Sequence, residues 1–491
     1  MARRCHLQVA ALPEPNEEAS PRVGGGGRFV IATLDRAVRF ARAWLAERYD
    51  AERIPGFVAA VAHQGTVVLN QAHGFADLEG KVPMTTGHVF RIASHSKTFT
   101  ATAVMQLAEA GRLRIDDPAA SYLPWLQGHR DGRWAHVTLR QLLSHGAGVV
   151  RDGLQSNFWH LERPFPDAER FVAEMRETDL VLDNNVKMKY SNYGYTVLGL
   201  VVEAVTGQPY NAFVADRVVA PLHLRHTYPD YRPGLAGEFA TGYTRPVDGA
   251  RLPIEHIGTG AMSAATGFCS TAEDLCAYFT AQMTGSGKLL SDEAKKEMQH
   301  AVWPSLTPGQ PSNAEYGLGF QLRRSEDRKL FGHSGGFPGF ITRTLADAAG
   351  GLVITALTNA VDGPAEAIAL GIHRIIRYFE QHAPAPGARD WSALEGRYAN
   401  LWGTMSVIAA DGGLATATSA GWDPLSAMTK MEWVEDHTFR ITECASGGSE
   451  GELTRFHPEN GTLERSGTTS WPAEQWRRML AGRTRISLQG R

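Results

Sequence analysis

A chain of 491 residues is too long for one small core. Its 43% hydrophobic and 21% charged content is that of an ordinary globular protein with one large domain and an accessory one. A formal net charge of -3 gives no electrostatic footprint for nucleic acid, and no apolar run reaches the length of a membrane span. The four cysteines, Cys5, Cys269, Cys276 and Cys444, form no C-x-x-C pair and no metal-ligand spacing. Cys269 and Cys276 fall in what reads as one amphipathic segment and are expected as buried thiols.

Residues 1–28 read as a flexible leader. The apolar stretch after Met-Ala-Arg-Arg is too short for a signal peptide, and Gly24 to Gly27 close it, which favours a cytoplasmic location. The folded chain is expected from near Phe29. From Thr33, the positions Leu34, Ala37, Val38, Ala41, Trp44 and Leu45 mark one face of a helix. Gly56 to Ala62, a turn at His63-Gln64-Gly65 and Thr66 to Asn70 predict a hairpin. Phe90-Arg91-Ile92 then lead into a helix that carries Ser94 in its first turn and stops at Gly111.

Between Asp116 and about Leu290 the pattern is mainly helical. It includes a segment opened by a capping threonine near Val137 and a helix through Leu198, Val201, Val202 and Val205 that ends at Gly207. Beyond Tyr316-Gly-Leu-Gly-Phe320 three strands follow: Arg328 to Gly332, Phe340 to Leu345 and Leu352 to Leu357. The last two are joined by a tight turn, and a helix runs from about Pro364 to Phe379. Residues 29–380 are therefore expected to form one α/β (α+β) domain in which the first hairpin pairs with the late strands. A cleft then opens between sheet and helical insert. Residues 381–390 are a linker by composition, and 391–491, with turns at Asp411-Gly412-Gly413 and Asn460-Gly461, predict a small all-β barrel or sandwich.

Ser94 and Lys97 lie one helical turn apart, so their side chains can meet, and a serine hydroxyl becomes nucleophilic when a neutral amine takes its proton. Ser-x-x-Lys alone is common, and its bland meaning is a helix cap followed by a solvated lysine. Tyr190 alone would be a core aromatic, Asn192 a cap and Gly335-Gly336 a turn.

Phe90-Arg-Ile-Ala-Ser-His-Ser-Lys97, Tyr190-Ser-Asn192 and His333-Ser-Gly335, in that order, resemble the β-lactamase-related serine hydrolases: class C β-lactamases, D-alanyl-D-alanine carboxypeptidases, family VIII esterases and D-aminopeptidases. Gly74-Phe-Ala-Asp77, Leu142-Leu-Ser-His-Gly-Ala-Gly148, Tyr316 to Phe320 and Leu357-Thr-Asn359 agree with it, over roughly Ile54 to Phe379. The resemblance implies a β-lactamase/transpeptidase-like antiparallel sheet flanked by helices, with a lipocalin-like C-terminal module of the kind that leans over the cleft in D-aminopeptidases. It implies that Ser94 forms an acyl-enzyme, that Lys97 and Tyr190 share the general-base work, and that the Tyr190 phenolate is favoured beside a lysine ammonium. Asn192, His333, Ser334, Gly335 and Gly336 would bind substrate, with the N–H groups of Ser94 and Gly336 as oxyanion donors and both glycines admitting substrate to the backbone. His145 is expected to play a supporting part.

His333 stands where class C β-lactamases have lysine, which implies weak β-lactamase activity at best. Histidine there and the appended module tilt the expectation slightly toward short peptides or amino-acid amides over simple esters. A carboxylesterase, an acyltransferase and a catalytically silent penicillin-binding scaffold are the alternatives. No metal or cofactor is implied, and the expected partner is a small-molecule or short-peptide substrate, with neither nucleic acid nor membrane.

Overall fold

The computed structural model describes residues 25–304, 314–385, 387–418, 421–445, 447–483 and 486. The expected leader lies almost wholly outside them, as does Cys5. Helix α1 (Gly25–Ala51) begins within the glycine run, earlier than the apolar periodicity indicates. The hairpin β1 (Gly56–His63) and β2 (Thr66–Asp77) turns through Gln64 and Gly65, both at positive φ as a two-residue turn requires. Short strands β3 (Val82–Pro83) and β4 (Phe90–Arg91) lead to a 3₁₀ turn at Ala93–His95 and to α2 (Ser96–Glu109).

The insert holds α3 (Leu139–Leu143), opened by a Thr138/Gln141 capping box, then α4 (Ala168–Arg176), α5 (Asn192–Thr206) and α6 (Tyr210–Val214). Two-residue strands β5 (Gly242–Tyr243), β6 (Pro253–Ile254) and β7 (Cys269–Ser270) follow, then α7 (Ala272–Ala281) and α8 (Asp292–Met298). Cys269 and Cys276 thus sit on a strand and a helix respectively, not on one amphipathic segment, and both are buried free thiols.

The chain returns to the sheet with five strands rather than three: β8 (Ala314–Tyr316), β9 (Gln321–Ser325), β10 (Arg328–Phe337), β11 (Phe340–Asp347) and β12 (Leu352–Thr358). The antiparallel order is β3-β2-β1-β12-β11-β10-β9-β8, so the two ends of the domain meet where β1 pairs with β12, Val58 opposite Leu357. Alternation along β1 divides the core. Val58, Ala60 and Ala62 face α2 and α7, and Phe57, Ala59 and Val61 face α1 and α9 (Ala365–Gln381). Helix α2 is buried nearly all round, and Thr98, Thr100 and Thr102 satisfy their hydroxyls on carbonyls one turn back.

Strands β13 (Gly396–Asn400), β14 (Gly403–Ala410), β15 (Gly413–Thr418), β16 (Met428–Glu435), β17 (Thr438–Cys444), β18 (Leu453–His457), β19 (Thr462–Arg465) and β20 (Thr468–Pro472) close into a lipocalin-like barrel, followed by α10 (Ala473–Leu480). The barrel docks on the α1/α9 pair. Arg36 donates to Glu395 and to the Ala409 carbonyl, Arg374 pairs with Asp423 at 2.7 Å, and Trp422 meets Trp44 edge-on at 5.9 Å. Sheet and helix pair therefore stand between the barrel and α2. Among the described residues no helix is long and apolar enough to cross a membrane.

Candidate active site

Ala93 occupies the left-handed region at φ +49°, a conformation costing an L-residue roughly 1–2 kcal/mol. This bend turns Ser94 toward the insert. The 3₁₀ turn is pinned from behind. Ser96 Oγ donates to the Ala93 carbonyl at 2.5 Å and accepts from Phe268 N–H at 2.9 Å, and buried His95 bridges the Ile92 carbonyl and Thr344 Oγ1 at 3.1 and 3.0 Å.

Three distant segments meet at Ser94. Tyr190 donates its hydroxyl proton to Ser94 Oγ at 2.8 Å, and Lys97 Nζ lies 3.2 Å from the same oxygen. Lys97 also donates to Asn192 Oδ1 at 2.6 Å and to the Ala265 carbonyl at 2.8 Å, and it faces the rings of Tyr190 and Tyr195. Lys97 is fully buried, and burial pushes its amine well below the ordinary lysine range, with Asp152 opposing and Arg151 assisting. Burial also pushes the Tyr190 phenol up, against smaller opposing effects from Ser94 and Arg151, so the expected phenolate is disfavoured. Loss of solvation outweighs the local field at both groups. His145 accepts from Ser191 N–H at 3.1 Å and packs against Tyr190 at 4.3 Å; it holds the tyrosine segment and stays out of the cleft lining.

The third motif corrects two expectations. His333 is fully buried beneath β10, hydrogen-bonded to Tyr316 Oη at 3.1 Å and to the Ser334 carbonyl at 2.6 Å; burial holds it neutral, and it offers substrate no side-chain contact. Gly335 faces the same way, and a Cβ there would lie 2.2 Å from the Ile92 carbonyl. That glycine serves the close packing of β10 on the serine turn, not the approach of substrate. Ser334 and Gly336 alternate to the cleft side. Strand β9 pairs with β10 only as far as Gly332, so the outer side of residues 333–337 is unpaired. Ser334 N–H donates on that side, to Gln321 Oε1 at 3.2 Å, and Gly336 N–H, two residues on, points the same way into the cleft.

The cleft, of about 880 Å³, is lined by Ser94, Tyr190, Asn192, Ser334 and Gly336, with an apolar wall that includes Trp159, Leu161, Ile254 and Phe337. Among the described residues the barrel contributes nothing to it. Trp402 and Trp433 are exposed on the barrel and Trp422 packs edge-on against Trp44 of α1, so none of the three lines the cleft. Sequence reasoning passed over Asp152, which accepts from Asn192 Nδ2 at 2.5 Å and pairs with Arg151 at 3.2 Å. Its one signal is an Arg-Asp-Gly triplet placed directly after the apolar Val149-Val150.

A serine on a strained turn, an amine and a phenol within hydrogen-bond reach of it, and an antiparallel sheet between helix layers are the arrangement of β-lactamase-fold hydrolases. A model of the family described as Beta-lactamase matches residues 41–376. The chain belongs to the beta-lactamase family. It is 26% identical over 310 residues to protein flp of Staphylococcus aureus, a match covering 62% of this chain but only 60% of that protein. It is 29% identical over 382 residues to esterase EstB of Burkholderia gladioli, covering 67% of this chain and 94% of that one. The structure of D-amino acid amidase from Ochrobactrum anthropi superposes with a TM-score of 0.56 at 27% identity, covering 68% of this chain and 98% of that one.

Proposed function

We propose that this protein is a metal-independent serine hydrolase that cleaves an ester or amide through an acyl-enzyme on Ser94. The observation that carries the proposal is the double contact on Ser94 Oγ, from Tyr190 at 2.8 Å and Lys97 at 3.2 Å. Lys97, driven toward its neutral form by burial, takes the serine proton as the oxygen attacks the carbonyl carbon. Tyr190, a neutral phenol, stands on the opposite flank and passes a proton to the leaving oxygen or nitrogen, recovering one from the Lys97 ammonium. The N–H groups of Ser94 and Gly336 receive the developing oxyanion, where loss of one donor typically costs about 10²–10³ in rate. Water then attacks the acyl-enzyme carbonyl carbon while Lys97 accepts its proton; the bond from that carbon to Ser94 Oγ breaks, the acid leaves, and Lys97 returns the proton to Ser94 Oγ, 3.2 Å away.

His333 and the barrel supplied the inclination toward amides, and neither reaches the cleft, so the inclination lapses. The wall of Trp159, Leu161, Ile254 and Phe337 instead suits an apolar acyl group on either an ester or an amide. The relatives named above include an esterase and an amidase, in keeping with both.

A fluorophosphonate should label the protein once, at Ser94, and Ser94→Ala should abolish both labelling and turnover. A panel of p-nitrophenyl esters and D- and L-amino-acid p-nitroanilides then ranks ester against amide, with nitrocefin expected to turn over slowly or not at all. Full turnover by Ser94→Ala would end the proposal.

A further inference from the structure

Between α1 and the barrel lies a second, open cavity of about 660 Å³, on the side of the sheet away from Ser94. Its lining includes Arg48 and Asp50 from the last turns of α1, Trp402, Thr404 and Thr418 from the barrel, and Arg477 from α10. Arg48 is the unusual member. It is only 7% exposed, its Nε is buried without an acceptor, and among the described residues no side chain pairs with its guanidinium. Of the carboxylates around it, Glu47, which also lines the cavity, is paired with Arg397 from β13, and Glu52, one turn further along, attracts the guanidinium without an ion-pair contact. Asp50 is exposed at the rim and makes no ion pair with Arg48 among the described residues. Burying the Nε donor without an acceptor is costly, and the cavity is the direction from which an acceptor can approach the guanidinium.

The surroundings define what that acceptor is attached to. Arg477 is exposed at the edge of the same cavity, and the Thr404 and Thr418 hydroxyls add uncharged donors, a set suited to the several oxygens of one oxyanion. Trp402 is 93% exposed at the tip of the β13–β14 hairpin, which is fixed by its own N–H donating to Asn400 Oδ1 at 2.8 Å. Its indole lines the cavity and offers a flat face for stacking.

We propose that the α1–barrel cavity is a binding site, separate from the Ser94 cleft, for a small molecule carrying a phosphate or carboxylate on a flat apolar body, with Arg48 and Arg477 holding the oxyanion and Trp402 the ring. It does not depend on the reaction at Ser94.

Calorimetric titration of the full chain carrying Ser94→Ala, with phenyl phosphate, benzoate, inorganic phosphate and phenol in separate arms, tests it. Phenyl phosphate or benzoate is expected to bind one to one, whichever is tighter naming the oxyanion, with inorganic phosphate weaker and phenol not bound. Arg48→Met should weaken the tighter ligand at least tenfold, and Trp402→Ala should reduce it toward the level of inorganic phosphate. Arg477→Gln, at an exposed position, should weaken it about threefold and keeps the test decisive if Arg48→Met folds poorly. In the Ser94 background, all three substitutions should leave ester turnover unchanged. Absence of binding in every arm, phenol binding equal to phenyl phosphate, or binding indifferent to Arg48→Met and Arg477→Gln would each overturn the proposal.

Discussion

If Ser94 and Lys97 act as proposed, Asp152 should raise the pH at which turnover sets in. Its carboxylate accepts from Asn192 Nδ2 at 2.5 Å, which turns Asn192 Oδ1 toward Lys97 Nζ at 2.6 Å. Two hydrogen bonds and the width of one amide therefore separate the carboxylate from the amine, roughly 6 to 7 Å. At an effective dielectric of about 20 the attraction over that distance is about 2.5 kcal/mol, and exposure to the open cleft lowers it to about 1–1.5 kcal/mol. The attraction favours the ammonium, whereas catalysis needs the amine, so Asp152 raises the pH below which activity fades. Asp152→Asn removes the charge but keeps an acceptor for Asn192. The acid limb of kcat/KM for a p-nitrophenyl ester, read at a pH-independent wavelength, should move about one pH unit lower, with the plateau within about threefold of the parent. Asp152→Ala should shift the limb in the same direction and also lower the plateau about 10- to 100-fold, because the Asn192 amide is then free to turn its N–H₂ toward Lys97. An unmoved limb, or one displaced to higher pH, would refute the assignment of Lys97 as the base.

Three buried histidines make the fold acid-sensitive: burial drives His95 down to about 3 and His145 and His333 well below 6.5. The unfolded chain takes up protons below about pH 6.5 that the folded one refuses, so stability is whole above that pH and falls beneath it, by about 4 kcal/mol in total at pH 5.5. Urea unfolding at pH 7.5 and 5.5 measures this, and equal midpoints would contradict it. Gly335→Ala brings a Cβ to 2.2 Å from the Ile92 carbonyl and 2.4 Å from Thr342 Oγ1, and should cost about 2–4 kcal/mol along with most fluorophosphonate labelling. Gly336→Ala meets only Ile341 Cδ1 at 3.7 Å, so its melting temperature should stay near that of the parent. Arg36→Ala breaks the contacts to Glu395 and Ala409, and should lower stability by about 1–3 kcal/mol while leaving ester kcat/KM unchanged.

The elements legible in the sequence were those whose signal is local. The Gly56–His63 hairpin announces itself by a run of small apolar residues and a Gln-Gly turn, α3 by its Thr138 cap, and α5 by Gly207, which does take the left-handed conformation at φ +72°. Strand β9 did not, because Gln321-Leu-Arg-Arg-Ser325 carries one apolar residue and is held by its neighbours rather than by its own pattern. The meeting of Ser94, Lys97 and Tyr190 was foreseeable from motif order. The inward face of His333 was not, since strand alternation gives two faces without saying which one α2 covers. Asp152 escaped because its significance lies in a contact across 40 positions of chain.

The position of the barrel has a practical corollary. Because α1, α9 and the sheet intervene between it and Ser94, attaching the protein to a bead or fusing it to another polypeptide through the barrel's outer strands would leave the mouth of the cleft turned toward free solution. Immobilised by that end, the protein should leave its cleft open to molecules too large to pass between protein and support.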